Sequence, residues 1–345
     1  MEAIWYALLA LMLTVYVVLD GFDFGAGIAH LFVAKSDDER RTVLAAIGPI
    51  WDGNEVWLIA SGGVLVFAFP HAYAAAFSGF YLPLTIVLWL LIVRGLSIEF
   101  RGQWPNPLWH AFFDVSFAAA STLLAFVLGA SFANVIRGVP VGSDGSFAAP
   151  LFGGGQSSGA LDGYTVTVGL LAVAALTTHG AHWIAHKTSG ELQLRARQLA
   201  TRSWPATALL ALIVTAWTAR INGGLFAQLA ARPWAWPLPL VAAAGMVGAF
   251  VAQRRAHTND RAAFFGSTAF LAGLLAATAA ALFPTILRST VDRHYDVTAF
   301  NGATGRHGLV VGLTWWIPAL LLAIGYFTYL FRAFAGKVRT DQIHY

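Results

Sequence analysis

The chain contains no cysteine, which excludes a disulfide framework and any Cys-ligated metal or iron–sulfur centre. Charge is scarce as well. Only 11% of the residues are Asp, Glu, Lys or Arg, against about 25% in an ordinary soluble domain. Neither a Lys/Arg-rich run nor a low-complexity tract occurs. The pI of about 9.5 therefore does not describe a nucleic-acid-binding surface. The opening Met-Glu-Ala-Ile-Trp lacks a basic leader, so no cleavable signal peptide is expected.

What fills the chain instead is apolar. Hydrophobic residues make up 58% and the mean hydropathy is +0.66, values of an all-α, polytopic membrane protein. Nine apolar runs are expected to span, at about 3–33, 47–70, 75–98, 109–135, 162–186, 204–222, 234–252, 262–285 and 308–333. The whole of 1–345 then forms a single integral membrane domain with short loops. With the N-terminus outside, the cytoplasmic loops and tail hold 15 of the 21 basic residues, Arg255 and Arg339 among them, and the outer side holds 6. That excess predicts an outer N-terminus and a cytoplasmic C-terminus.

Against this background two acidic pairs stand out. Asp20 and Asp23 lie inside the first run, and Asp52 and Glu55 open the second. Each pair is three residues apart, which places both acids on one helix face. A charge at membrane depth costs at least about 2.5 kcal/mol unless it faces protein or water. The predicted topology puts both pairs in the cytoplasmic half of consecutive antiparallel helices, which suits a water-linked carboxylate relay.

Each motif also has a plainer reading. Gly21, Gly25 and Gly27 make a small-residue packing face, with the acids capping a helix break. Pro49 could start a helix whose dipole favours Asp52 and Glu55 in its first turn. Arg94, with Glu99 and Arg101, ends the third run; Arg94 and Glu99 are candidate charge partners for the acids, or simply interfacial anchors. His179, His182 and His186 share a helical face and could ligate haem or metal, but the polar residues around them favour a structural role. Intramembrane acids and Gly-interrupted helices also suit an independent ion-coupled transporter, and a purely structural scaffold is a third reading.

The motifs Asp20-Gly-Phe-Asp-Phe-Gly, Pro49-Ile-Trp-Asp-Gly-Asn-Glu-Val-Trp-Leu and Tyr73-Ala-Ala-Ala-Phe-Ser-Gly-Phe-Tyr resemble subunit II of cytochrome bd-type quinol oxidases. Gly138-Val-Pro, Gly190-Glu-Leu-Gln-Leu-Arg-Ala-Arg and Leu282-Phe-Pro extend the resemblance in the same order from about residue 15 to 338. It implies two four-helix bundles plus a peripheral helix in a bacterial plasma membrane. It also implies a heterodimer with a homologous subunit I, which carries two haems b, one haem d and the quinol site. The complex would oxidise quinol and reduce oxygen to water, drawing protons from the cytoplasm without pumping. By motif position, Asp23 and Asp52 belong to the proton pathway, with Asp20, Glu55, Arg94 and Glu99 as weaker carry-overs. No cofactor is expected on this subunit beyond a structural quinone or lipid, which some members hold; small accessory subunits also occur.

Overall fold

The computed structural model describes residues 1–153, 159–254 and 259–338; Arg255 and Arg339 lie outside the described residues. Helices α1 (Glu2–Val33), α2 (Asp37–Ile47), α3 (Trp51–Ala68), α4 (Pro70–Gly79), α5 (Tyr81–Phe100) and α6 (Pro107–Arg137) form the first half. The second half comprises α7 (Gly163–Lys187), α8 (Gly190–Ile221), α9 (Gly223–Ala230), α10 (Pro237–Arg254), α11 (Asp260–Leu282) and α12 (Arg306–Ala333). Two short antiparallel strands, β1 (Thr285–Leu287) and β2 (Val297–Thr298), fold the loop before α12.

All nine apolar runs are helical, but among the described residues only eight helices are long and apolar enough to cross a membrane. The one that falls short is α3, the helix of the second run. Its first turns carry Asp52, Asn54 and Glu55, which dilute an otherwise apolar sequence. The third run is also interrupted. Proline has no amide to donate and disfavours helix in the residue before it. Pro70 accordingly opens α4, and Pro83 sits in the first turn of α5 just past the break at Phe80.

Packing sorts the long helices into α1, α3, α5 and α6 on one side and α7, α8, α10 and α11 on the other, with α12 peripheral. The two groups meet where α1 crosses α7 and α11 and where α6 packs along α7. At that crossing the backbones touch. A Cβ added at Gly25 would stand 1.9 Å from the Leu176 carbonyl oxygen, and one at Gly180 would stand 2.1 Å from the Gly25 carbonyl carbon. Beside it Phe22 stacks on Trp183 at 4.3 Å and His179 on Phe264 at 4.9 Å. Peripheral α12 is held by the Trp5 indole donating to the Leu309 carbonyl at 3.0 Å and by the Trp5–Trp316 ring pair.

Polar loop contacts gather into two groups that match the predicted sidedness. At one end Arg195 bonds Glu39 and the Val33 carbonyl, Arg197 pairs with Asp260, and Lys187 donates to the Phe334 carbonyl. At the other, Arg137 pairs with Asp162 and Arg232 donates to the Phe283 carbonyl. On the first end α2 starts with a capping box, Ser36 and Glu39 each bonding the other's amide. Partial burial opposes ionisation of Glu39, but the Lys35 amide, Arg195 and the Ser36 amide outweigh it and hold the carboxyl below its ordinary value.

The α1–α7 crossing yields a direct test. Gly180→Ala gains at most about 1 kcal/mol of helix propensity, whereas the clash is with backbone and should cost about 1–3 kcal/mol. Thermal melting of the purified protein should therefore show a lower midpoint; an unchanged or higher midpoint would show that the crossing tolerates a methyl group.

Candidate functional site

A helical face repeats near every third or fourth residue, and α1 uses one such face for Tyr16, Asp20, Asp23, Gly27 and His30. All are buried. Neighbouring helices supply the partners. Arg94 of α5 is fully buried, and its guanidinium donates to Asp20 Oδ1 at 2.6 Å and to Glu55 of α3. The same guanidinium lies 4.5 Å from the Phe24 ring centroid and 5.9 Å from that of Trp51. One residue before Glu55, Asn54 donates from Nδ2 to Asp23 Oδ2 at 2.8 Å.

Two carboxylates thus share one cation, with a third carboxyl beside them. The pairing offsets the desolvation of Arg94 and Asp20, while Asp23 is held by a neutral amide alone. Several polar atoms here have no protein hydrogen-bond partner: Tyr16 Oη, Asp20 Oδ2, Asp23 Oδ1, Asn54 Oδ1 and Arg94 Nε. Buried groups of this kind are ordinarily satisfied by ordered water. Glu55 is 21% exposed, so the cluster reaches from the interior towards the surface.

Of the residues singled out in sequence, Asp20, Asp23, Glu55 and Arg94 come together. Asp52 does not join them. It is exposed at the start of α3 and makes no hydrogen bond or ion pair among the described residues. Glu99 is exposed as well, and its carboxylate enters no ion pair among the described residues; only its carbonyl is used, by Gln103.

Of the three α7 histidines, His179 has both ring nitrogens bonded, whereas His182 Nδ1 is buried without a protein partner. His179 bonds the Ser267 hydroxyl through Nδ1 at 2.7 Å and the Val18 carbonyl through Nε2 at 3.0 Å. A carbonyl only accepts, so Nε2 carries a hydrogen; Nδ1 faces the Ser267 hydroxyl, which also bonds the Phe264 carbonyl at 2.8 Å. His182 meets Gln253 at 3.2 Å, and the ring of His186 stacks near Phe264. Among the described residues, no group of three or more His, Cys, Asp or Glu could hold a metal ion.

Asp114 drew no role from sequence, and His30 drew none either, yet they form a second buried cluster. Arg101 donates to Asp114 Oδ1 at 2.6 Å, Arg40 donates to Oδ2 at 2.8 Å, and His30 Nε2 lies 3.1 Å from Oδ1. Arg101 also reaches Asp37 at 2.7 Å. Burial works against ionisation of Asp37, but Arg101, His110 and Arg41 outweigh it and hold its carboxyl below the ordinary value. The available signal was the seven-residue spacing of Asp23 and His30, which puts them on one helix face.

A helical membrane protein with a buried carboxylate–guanidinium cluster is the class these observations define. The model of the family described as cytochrome bd terminal oxidase subunit II matches residues 1–334, and the chain belongs to that family. A relative from Bacillus subtilis, cytochrome bd ubiquinol oxidase subunit 2, is 30% identical over 308 residues, covering 89% of this chain and 88% of the relative. The probable cytochrome oxidase subunit 2 of Haemophilus influenzae is 28% identical, covering 99% of this chain and 96% of that one. In fold the chain is similar to a chain of the bd oxidase from Geobacillus thermodenitrificans, with a TM-score of 0.76 at 20% identity, covering 96% of this chain and 98% of that one.

The ion pair is separable from the rest by a double-mutant cycle. Arg94→Leu alone should cost about 3–5 kcal/mol of complex stability, because Asp20 and Glu55 lose their cation. Adding Asp20→Leu should cost less than it does in the wild type, with a coupling energy of about 1 kcal/mol or more. Denaturant melts of the four purified complexes measure it; strict additivity would mean that the two residues do not depend on each other.

Proposed function

We propose that this chain is the haem-free subunit of a quinol:oxygen oxidoreductase, and that its buried acids take up cytoplasmic protons for the reduction of oxygen to water. The carrying observation is the cluster of Asp20, Asp23 and Glu55 around Arg94 and Asn54. It holds more carboxyl groups than its one cation neutralises, and a spare carboxyl bonded to a neutral amide can load and release a proton without separating an ion pair. In this reading Asp23 is the relay and Asp20 with Arg94 positions it. Glu55 and the exposed Asp52 face the cytoplasmic side and collect protons. The Arg94 charge keeps other cations out.

The partner is subunit I, which carries the two haems b, the haem d and the quinol site. The occupied ring nitrogens of His179 support leaving haem ligation to that partner. Exposed apolar side chains on α3 and α5, among them Ile59, Leu88 and Trp89, offer surface to lipid or to the partner. Stabilising subunit I is accordingly part of the role, in a bacterial plasma membrane. A structural quinone and small accessory subunits are compatible with this role.

The test is oxygen consumption with a quinol donor by purified complexes, recorded together with reduced haem spectra. Asp23→Asn keeps size but not titration and should slow turnover about tenfold or more with normal haem spectra. Asp52→Asn, at an exposed position, should slow it less. Full turnover by Asp23→Asn would remove the relay, and missing haems would favour the scaffold reading. Transport activity of this subunit alone would favour an independent transporter.

A further inference from the structure

Beyond the Asp20–Arg94 cluster, the same face of α1 carries a buried polar track towards the helix end. Helix α6 runs antiparallel to α1 and presents Asp114, Phe117 and Ser121, spaced three and four residues apart, so they share one face. The register is set by contact: His30 lies against Asp114, its ring 5.6 Å from that of Phe117, and Ser121 lies against Gly27. A Cβ at Gly27 would stand 2.1 Å from Ser121 Oγ, so the missing side chain is what admits the hydroxyl.

Gly27 lies between Asp23 and His30 on this face. At about 1.5 Å rise per residue, Ser121 meets α1 about 6 Å from the level of Asp23 and about 4.5 Å from that of His30. Four atoms along this line are buried without a protein hydrogen-bond partner: Asp23 Oδ1, Ser121 Oγ and both ring nitrogens of His30. Asp23, Ser121 and His30 are all fully buried. At its outer end the track meets Asp114 with Arg40 and Arg101, and through Arg101 the half-exposed Asp37, which His110 approaches to 3.3 Å.

We infer that His30 and Ser121 form a second proton intake, linking the Asp37–Asp114 cluster to Asp23 through water. This rests on Asp23 being a relay. Asp114 is the counter-ion, with both oxygens engaged by arginine; it lies 3.1 Å from His30 Nε2 without a hydrogen bond, so both ring nitrogens are open to water. The imidazole accepts a proton on one nitrogen and releases one from the other. Ser121 carries the proton across the gap by accepting on oxygen and donating its own hydrogen, so each step exchanges protons with no net change in the chain. Phe117 packs against His30 and narrows the track, and Arg40 and Arg101 disfavour metal cations at its mouth. Protons therefore reach Asp23 by a route that bypasses Asp52.

The test compares His30→Gln, Ser121→Ala and Asp23→Asn in the purified complex, following proton uptake from the medium with a pH dye during a single turnover with oxygen. His30→Gln keeps a polar amide beside Asp114 but cannot relay as a ring. It should slow uptake about fivefold or more, and Ser121→Ala about twofold, with haem spectra and electron transfer into the haems unchanged. Free imidazole in the medium should restore part of the His30→Gln rate, which a packing defect would not allow. Slow Asp23→Asn beside wild-type rates in both His30→Gln and Ser121→Ala would overturn this intake and leave the Asp23 relay standing. Wild-type uptake in Asp23→Asn would remove the relay and this intake with it. If His30→Gln loses haem, Ser121→Ala decides: a slowed rate supports the track and an unchanged rate overturns it.

Discussion

Arg94 is a full positive charge with no exposed surface, inside a helix that is otherwise suited to lipid. Insertion scales put an unpaired arginine at the helix centre at about 2.5–3.5 kcal/mol, so its partners cannot be optional. Asp20 and Glu55 supply them from two different helices, which ties α1, α3 and α5 together at one depth. That requirement explains why α3 begins with acids although they weaken it as a spanning segment. Once α3 is held at this register, Asn54 falls opposite Asp23. The arginine thus sets the geometry in which the unpaired acid is held.

The second constraint is backbone contact between the two halves of the molecule. Gly25 on α1 and Gly180 on α7 let the bundles approach closely, and His179 fills the space beside them with both nitrogens bonded. Helix α1 therefore belongs to two interfaces at once. One face is occupied by α7 and α11, while another carries the polar stripe that packs on α3 and α6 and receives Arg94 from α5. A single helix buried on so many sides accounts for the density of small and polar residues between Asp20 and His30.

Much of this was legible in the chain. Apolar runs marked every long helix, and the uneven basic residues matched the way loop contacts separate into two ends. The spacing of Asp20 with Asp23, and the nearness of Arg94 to the end of its run, pointed to the cluster. Asp52 was harder to read, because a carboxylate in the first turn looks the same in sequence whether it faces protein or water. Nine spans were expected and eight helices are long and apolar enough among the described residues, because the acids at the head of α3 lower its hydropathy. What pattern alone could not supply were pairings between distant segments. Asp114 meets His30 only because α6 packs antiparallel to α1 with Ser121 at Gly27, and nothing local to either residue announces it.

The account stands or falls on Asp23 as the point through which protons pass. The most direct measurement is time-resolved charge movement across vesicles containing the complex, triggered by oxygen binding to the reduced enzyme, in wild type and Asp23→Asn. The account predicts that the early electron-transfer phase is kept while the later charge-moving phase, which reports proton uptake, is delayed. A later phase of unchanged rate and amplitude in Asp23→Asn would contradict it.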